Sequence, residues 1–160
     1  MTGPSIKLLQ DMPLFGGMSA RALESLVAES TRVKLLKGQS FFHEGDAAQS
    51  MFVVEQGRVS VCKQWKGREI VLRELKRGDC FGEMALIDYT PRSATVRAGE
   101  ACVAIEITAD ALLGLYKSDL EQFTIIQMNI AREISRRLRD LEQRMFEVGA
   151  NLDELHVAKT

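Results

Sequence analysis

The chain has 160 residues, of which 46% are hydrophobic and 27% charged, so it is long enough for one globular domain with a buried core. Its formal net charge of −1 argues against a protein that coats nucleic acid, because such proteins are usually basic. It contains no run of about 18 apolar residues, the length that a membrane-spanning helix needs, and its first residues lack the pattern of a signal peptide. We therefore expect a cytoplasmic protein that neither spans a membrane nor binds nucleic acid directly.

The cysteines and histidines argue against several enzyme classes. Cys62, Cys80 and Cys102 are odd in number and form no C-x-x-C pair, so we expect buried, reduced thiols. A cupin-type metalloenzyme or a metal-dependent phosphodiesterase needs several converging histidine and acid ligands, and the sequence has only His43 and His156. We therefore predict no catalytic residue, no metal and no cofactor.

The N-terminal segment, residues 5–30, is predicted to be helical. Residues 5–10 form a short helical turn that Pro13 ends, and Ser19 has the side chain of an N-cap for a second helix. The apolar residues that follow recur at helical spacing and mark one buried face: Leu23, Leu26 and Val27.

Residues 31–107 have the pattern of an antiparallel β body. The runs predicted as strands are 31–36, 40–43, 50–55, 58–64, 69–75, 94–98 and 101–107. Turns that contain glycine separate most of them, and none of the crossover helices that a parallel sheet needs is predicted between them. The prediction is a mainly β fold, an antiparallel β-roll or jelly-roll barrel, with flanking helices.

Two C-terminal helices are predicted after the β body. Thr108 is expected to cap a short helix that runs to about Tyr116, and Ser118 a long one that continues to about residue 156. From Leu138 onward the apolar residues alternate in steps of three and four, a heptad seam: Leu138, Leu141, Met145, Val148, Leu152 and Leu155. The seam must be buried on the β body, on a partner or on both, and we predict a homodimer through this helix.

The stretch 81–96, FGEMALIDYTPRSATV, places one acid and one arginine around a short turn. Gly82 lets the backbone approach a ligand where a Cβ would intrude, and the helical turn after it favours an anion. Arg92 offers a planar fork for two phosphate oxygens, and Ser93 adds a hydroxyl donor. Glu83 can accept a hydrogen bond from a ribose hydroxyl and pair with a nearby guanidinium. The turn suits a ligand that carries a phosphate next to a sugar hydroxyl.

The other residues of this stretch are predicted to shape the turn. Ala94 leaves room beside the phosphate, and three apolar side chains are expected to pack in the core: Met84, Leu86 and Ile87. The predicted ligand-binding set within the stretch is Phe81, Gly82, Glu83, Met84, Ala85, Arg92, Ser93 and Ala94.

This stretch resembles the phosphate-binding cassette of cyclic nucleotide-binding domains, which occur in bacterial catabolite activators, protein kinase regulatory subunits and cyclic nucleotide-gated channels. It keeps every fixed position of the family pattern F-G-E-x-A-L, five or six residues, R-[AST]-A-[TS]-V. The likeness extends to the turn glycines Gly45, Gly57 and Gly78 and covers about residues 10–145. The resemblance implies that a cyclic nucleotide lies inside the β-roll and that the long helix covers its base.

The resemblance is less specific about the base. It implies walls of the nucleotide site at Val61, Leu72, Arg73 and Leu75. Dimeric bacterial activators carry a Thr-Ser pair on the long helix that reaches adenine, but Leu141 and Glu142 stand at those positions here. Arg137 or Arg139 is therefore the candidate that stacks on the purine. Ser93 favours cAMP and leaves cGMP open.

The sequence thus predicts one domain, residues 1–160, with a helical segment 5–30, a β-roll 31–107 and helices 108–156. Its expected function is non-enzymatic: it senses a cyclic nucleotide and repositions its long helix to regulate a dimer or a protein effector of unknown identity. No effector domain is expected after the long helix, so DNA binding is not carried over. Two alternatives stay open: a degenerate domain that serves as a dimerisation scaffold, and a sensor of cGMP or a cyclic dinucleotide.

Overall fold

Eight strands form two four-stranded antiparallel sheets in the computed structural model, which describes the backbone of residues 6–157 and the side chains of residues 6–151. The strands are β1 (Thr31–Leu35), β2 (Ser40–Phe42), β3 (Ser50–Gln56), β4 (Arg58–Trp65), β5 (Arg68–Lys76), β6 (Cys80–Phe81), β7 (Thr95–Ala98) and β8 (Cys102–Thr108). The helices are α1 (Ile6–Gln10), α2 (Ala20–Ala28), α3 (Met84–Asp88), α4 (Ala109–Ser118) and α5 (Leu120–Val157), with a 3₁₀ turn at Pro13–Phe15. The predicted seam positions Leu152 and Leu155, together with His156, lie outside the described side chains.

The two sheets confirm the predicted mainly β fold. One has the order β1-β8-β3-β6 and the other β2-β7-β4-β5, and every neighbouring pair is antiparallel. All seven predicted strands are present within one residue of their expected ends. The additional strand, β6, has only two residues, too few for an alternating pattern to be visible in the sequence.

Strand β3 is buried on both faces and separates two hydrophobic clusters. Met51 and Val53 pack with α2, α4 and α5 on the helical side of the sheet. Phe52 and Val54 pack inside the β-roll, because successive side chains of a strand point to opposite faces. This explains why the sequence of β3 is a continuous apolar run instead of an alternating one.

Polar side chains of α5 attach the N-terminal segment to the body. The buried Asn129 side chain donates to the carbonyls of Leu14 and Gly16, both at 2.9 Å. Gln122 accepts from the backbone N–H of Ser19 at 2.7 Å. These contacts join residues more than 100 positions apart, so no local pattern predicted them.

Half of α5 packs on the body and half extends beyond it. Ile126 and Ile130 are fully buried in the helical cluster. The predicted seam residues further along are 50–66% exposed: Leu138, Leu141, Met145 and Val148. The seam is therefore not buried on the β body over the described side chains. No helix in the described part of the chain is long and apolar enough to cross a membrane.

The cysteines are free and buried, as the sequence predicts. Burial raises the pKa of the Cys80 thiol to about 12, so this thiol remains protonated at neutral pH. Cys62 and Cys102 also have raised pKa values, and burial is the main cause in both.

The N-caps agree with prediction at two helices and differ at the third. The hydroxyls of Ser19 and Thr108 accept from the third backbone N–H of α2 and α4, as expected. Ser118 is not the cap of α5, because it is the last residue of α4 and its hydroxyl donates to the Gly114 carbonyl at 2.9 Å. Asp119 takes that position, and its carboxylate accepts from the backbone N–H of Gln122 at 3.1 Å.

Asp119→Ala is expected to lower the free energy of unfolding by about 1 kcal/mol, the usual loss when a helix loses its N-cap acceptor. Ser118→Ala is the matched control and should lose less than about 0.5 kcal/mol, since its hydroxyl bonds only within α4. Urea unfolding followed by circular dichroism measures both losses. An equal or larger loss in Ser118→Ala would contradict the assignment of Asp119 as the cap.

Candidate functional site

The stretch 81–96 forms a tight turn around a short helix. Strand β6 leads into Gly82, whose φ of +76° is in the left-handed region that a residue with a Cβ rarely adopts. Helix α3 follows. The residue after its last turn, Tyr89, also has a left-handed backbone conformation, with φ of +56°. Asp88 then closes a local turn by accepting from the N–H and the hydroxyl of Thr90.

The backbone of Arg92 is held by the turn between β2 and β3. Its N–H donates to the Asp46 carbonyl at 2.9 Å, and its carbonyl accepts from the Gly45 N–H at 2.8 Å. Gly45 has φ of +88°, so the turn needs a glycine there. This pairing explains why the Gly45-Asp46 turn accompanies the cassette in the sequence, although 46 positions separate Asp46 from Arg92.

The Arg92 side chain is buried, with 6% of its surface exposed. Its Nη1 donates to the Gly82 carbonyl at 3.0 Å and its Nη2 to the Ser50 hydroxyl at 3.3 Å. The guanidinium carbon lies 4.0 Å from the centre of the Phe42 ring, within the range of a cation–π contact. Two of the five N–H donors of the guanidinium are thus used, and the buried Nε–H is unsatisfied within the described residues.

Arg92 keeps its positive charge in this setting. Burial lowers the pKa of its guanidinium, and the negative charges of Glu106, Asp46 and Glu83 act in the opposite direction. An arginine starts from a pKa above about 12, so it remains a cation at neutral pH. No carboxylate lies within ion-pair distance of Arg92 in the part of the chain that the structure describes.

Glu83 is the second buried charge, with 3% of its surface exposed, and it pairs with the long helix. Its Oε1 lies 2.7 Å from Nη1 of Arg137 on α5. Arg137 also donates to the Cys80 carbonyl, and its Nε lies 2.7 Å from Glu133 Oε1. Burial alone would lower the pKa of Arg137, but the negative charges around it, Glu83 foremost, raise it overall. Glu83 thus has the guanidinium partner that the sequence analysis expected.

Arg92 and Glu83 converge on one peptide unit. Arg92 binds the carbonyl of Gly82, and Glu83 is the next residue along the chain. A Cβ at Gly82 would lie 2.4 Å from Nη1 of Arg92, so only glycine leaves room for this arrangement. A buried cation next to a buried carboxylate can bind an anionic group on one side and a hydroxyl on the other.

The remaining predicted residues of the stretch divide into buried and exposed positions. Phe81 is buried and stacks on Phe52 at 5.1 Å between ring centres, while Ala85 and Ala94 are also buried and Ser93 is exposed. The expectation that Met84 and Ile87 pack in the core is wrong, since they are 49% and 50% exposed. Helix α3 has only five residues and can bury only one side, which it does with Ala85 and the half-buried Leu86.

Three of the four predicted walls of the base site lie on one face of the β4–β5 pair, because Val61 is opposite Arg73 and Leu75 is two residues further along β5. Val61 is half-buried against the cluster inside the β-roll, and Leu75 lies within that cluster. Leu72 sits at the bulge of the β4–β5 pair and is 47% exposed. Arg73 is half-buried. Burial and the positive charges of Arg137 and Arg144, both on α5, lower the pKa of its guanidinium.

The candidate residues of α5 differ in their relation to the cassette. Arg137 contacts it directly, whereas Arg139 is exposed on another side of the helix. Leu141 and Glu142, at the positions where dimeric activators carry their adenine contact, are exposed as well. Arg137 is therefore the arginine on α5 that the structure joins to the predicted site.

Sequence reasoning missed three residues that hold Arg92: Phe42, Ser50 and Glu106. Phe42 stacks on the guanidinium, Ser50 accepts from it, and Glu106 accepts from the Ser50 hydroxyl at 2.7 Å. Each belongs to a strand and has no motif around it, so only the sheet pairing brings them to Arg92. The resemblance to a family pattern also gave no signal, since the pattern contains none of the three.

The structure has concave surfaces away from this site. A groove of about 180 Å³ lies between α3, α4 and α5 and is lined mostly by apolar side chains, among them Ile87, Leu113, Tyr116 and Phe123. A cleft of about 250 Å³ lies beside Pro13, Arg132 and Arg136. Neither includes Glu83 or Arg92, so the buried charges identify the candidate site better than surface shape does.

Comparisons with known proteins find relatives over the part of the chain that contains the stretch 81–96. Residues 32–119 match the family model described as Cyclic nucleotide-binding domain. The chain is 32% identical over 135 residues to a cAMP-dependent protein kinase regulatory subunit from Mycosarcoma maydis, covering 84% of this chain and 24% of that protein. It is 30% identical over 139 residues to the Cyclic AMP receptor protein from Thermus thermophilus, covering 84% and 61%.

One of the solved structures that resemble this chain belongs to a protein from the same organism. The crystal structure of the Thermus thermophilus catabolite activator protein superimposes with a TM-score of 0.73 at 27% identity, over 86% of this chain and 63% of that one. The chain spans less than two thirds of the length of each of these three proteins. The similarity therefore covers the cassette and the fold around it, and only part of each relative.

Gly82→Ala is expected to destabilise the protein by more than Gly67→Ala. Both glycines have φ of +76°, so each variant carries left-handed strain of about 1–2 kcal/mol. A Cβ at Gly67 would meet nothing within 4 Å, whereas one at Gly82 would collide with Arg92, which adds a further ~1 kcal/mol or more. Chemical unfolding of the two variants measures the difference, and equal losses would contradict the close packing of Arg92 on Gly82.

Proposed function

Because the chain belongs to the cyclic nucleotide-binding domain family, a family of non-catalytic sensor domains, we propose that it senses a cyclic 3′,5′-nucleotide, cAMP, and signals through α5. The observation that carries the proposal is the pair of buried opposite charges, Arg92 and Glu83, on either side of the Gly82 carbonyl. A cyclic 3′,5′-nucleotide has a singly charged phosphate beside a free 2′-hydroxyl. Its two polar groups match the two charges in sign and in hydrogen-bonding capacity.

In this proposal Arg92 binds the phosphate. Its neighbours are a carbonyl, a hydroxyl and an aromatic ring, all of them uncharged, so its positive charge is available to an anion. The Gly82 carbonyl and the Ser50 hydroxyl use two of the five N–H donors of its guanidinium, so donors remain for the phosphate. Ser93, exposed next to it, adds a hydroxyl donor to the same phosphate.

Glu83 accepts from the ribose 2′-hydroxyl and connects the ligand to α5. Its carboxylate already binds Arg137 at 2.7 Å, so a ligand that engages Glu83 changes the environment of Arg137 directly. A ligand shifts a conformational equilibrium only through contacts that differ between the two states. The Glu83–Arg137 pair joins the cassette to the helix, and we propose that it is the contact that differs between the two states.

Relatives and Ser93 favour cAMP among the cyclic nucleotides. The names of two relatives refer to cAMP, and the family resemblance of the cassette implies a preference for cAMP at Ser93. We place Arg137 against the purine, since it is the arginine of α5 that reaches the cassette. Val61, Leu72 and Arg73 would line the nucleotide site.

The output is proposed to pass through the exposed half of α5. Its seam residues Leu138, Leu141, Met145 and Val148 form an apolar stripe at heptad spacing. We propose that this stripe forms a parallel homodimer and that a protein effector reads its position, in the cytoplasm, where free cysteines persist. The whole chain would then act as a single sensor domain.

Arg92→Ala is expected to weaken cAMP binding by roughly 30-fold or more, since removing one partner of a buried charge contact costs about 2–5 kcal/mol. Arg97→Ala is the control: it removes an arginine of β7 that pairs with Glu69 on the surface, and should leave the affinity unchanged. Isothermal titration measures both. Unchanged affinity in Arg92→Ala would refute the assignment.

The same titrations separate the alternatives. Wild-type protein is tested with cAMP, cGMP and cyclic dinucleotides. Tighter binding of cGMP or of a cyclic dinucleotide would correct the choice of ligand. Binding of none of them would favour the scaffold, in which the dimer forms without a nucleotide.

Leu141→Glu combined with Met145→Glu is expected to convert the dimer to a monomer, because charges in a heptad seam repel across the interface. Leu36→Glu, at an apolar residue that is 69% exposed on the body, is the control and should remain dimeric. Light scattering coupled to size-exclusion chromatography gives the mass of each variant. A monomeric wild-type protein, or a dimer that survives the double substitution, would contradict the seam interface.

A further inference from the structure

A chain of hydrogen bonds leads from Arg92 to a carboxylate on strand β8. Nη2 of Arg92 donates to the Ser50 hydroxyl at 3.3 Å, and that hydroxyl donates to Oε1 of Glu106 at 2.7 Å. Ser50 is buried, with 7% of its surface exposed, and Glu106 is half-buried. These two hydrogen bonds therefore lie in the protein interior, where a hydrogen bond is stronger than in water.

The pairing of β3 with β8 fixes this arrangement. Ser50 lies opposite Thr108, and Phe52 lies opposite Glu106, so Ser50 and Glu106 are diagonal neighbours on one face of the sheet. The backbone therefore sets the distance between the hydroxyl and the carboxylate. Arg92 enters from the loop before β7, which the Gly45-Asp46 turn holds in place.

The Glu106 carboxylate determines how the Ser50 hydroxyl can serve Arg92. A hydroxyl has one proton, and here the proton is donated to Glu106, so only lone pairs remain for the arginine. Without Glu106, the hydroxyl proton can turn toward the guanidinium, where two donors would face each other. Glu106 thus holds Ser50 as an acceptor.

Other acids near Arg92 are already engaged. Asp46 accepts from the backbone N–H of His43 at 2.8 Å, and Glu83 pairs with Arg137. Among the carboxylates that oppose the fall in the pKa of Arg92, Glu106 has the largest effect. It is also the one that hydrogen bonds connect to Arg92.

We propose that Ser50 and Glu106 are positioning residues for Arg92, which orient its guanidinium so that its remaining N–H donors can bind the ligand phosphate. With Nη1 on Gly82 and Nη2 on Ser50, the guanidinium plane is fixed by two bonds and stacked on Phe42. The affinity for a phosphate then depends on a carboxylate that never touches the ligand. This inference rests on the proposed function and adds to it two residues outside the cassette.

The test measures cAMP affinity in variants of the full chain. Ser50→Ala and Glu106→Leu are each expected to weaken binding about 10-fold, since each removes one hydrogen bond of the chain. The double variant should bind no more weakly than either single variant, because both substitutions act through the same hydrogen bonds to Arg92.

Conservative variants should keep most of the affinity. Ser50→Thr keeps the hydroxyl and should bind within about 3-fold of wild type. Glu106→Gln keeps an acceptor, and its affinity should lie between those of wild type and Glu106→Leu. Glu69→Leu, which removes a surface carboxylate that pairs with Arg97, is the control and should bind like wild type.

A second readout separates positioning from general damage to the fold. The ratio of the affinities for cAMP and 2′-deoxy-cAMP reports on Glu83, and it should stay unchanged in the Ser50 and Glu106 variants. A merely structural defect would change this ratio too and would not be rescued by Ser50→Thr. Wild-type affinity in both single variants, or losses that multiply in the double variant, would overturn the proposal.

A third measurement needs no ligand. A double-mutant cycle of Arg92→Lys and Glu106→Gln, followed by urea unfolding, should show coupling between the two positions, because Ser50 bonds to both residues. If wild type binds no nucleotide, the proposed function fails and the claim about phosphate affinity fails with it, while coupling would still support the hydrogen-bonded chain. If wild type binds and Arg92→Ala does not, normal affinity in the Ser50 and Glu106 variants refutes the positioning role alone.

Discussion

The burial of two opposite charges beside Gly82 is the constraint on which the rest of the site depends. Moving an ion from water into a protein interior costs several kcal/mol, and the cost is tolerated only where partners replace the lost water. Glu83 receives Arg137 from α5. Arg92 receives a carbonyl, a hydroxyl and an aromatic ring from three different segments: Gly82, Ser50 and Phe42. The cassette therefore cannot be formed by its own residues, because its charges are stable only when the β-roll and α5 surround them.

The two charges are compensated differently, and this difference assigns their roles. Glu83 is paired with a full positive charge, so it contributes little net negative potential. Arg92 has only uncharged direct partners and keeps a net positive potential. An anion is attracted to Arg92 and is not strongly repelled by Glu83, although the two side chains flank the same peptide unit. In the proposed function the phosphate would therefore lie beside Arg92, and the ribose hydroxyl would donate a hydrogen bond to Glu83.

The fold and the centre of the cassette were predictable from sequence because their signals are local. Apolar alternation and turn glycines located seven strands within one residue, and the pattern around Gly82 and Arg92 identified the turn. The sequence did not predict features that depend on a contact between distant residues or that belong to a very short element. Strand β6 has two residues, helix α3 is too short to bury Met84, and adjacent Ser118 and Asp119 are both good caps that only the exact helix start distinguishes. The partners of the buried charges lie 42 and 54 positions away, at Ser50 and Arg137, and no local pattern contains that information.

In the proposed function Arg137 has two roles, as the partner of Glu83 and as the residue that contacts the purine. It binds Glu83 in the structure, and a ribose hydroxyl that donates to Glu83 must either share this carboxylate or displace the guanidinium. If Arg137 is displaced, α5 loses its ion pair with the cassette, while Ile126 and Ile130 still hold the first half of the helix in the core. Ile134 also packs against the core, and the segment of the helix beyond it would then be free to change direction. The part free to move is the part that carries Leu141 and the rest of the exposed seam, so a contact at the ribose becomes a change in the surface available for dimerisation.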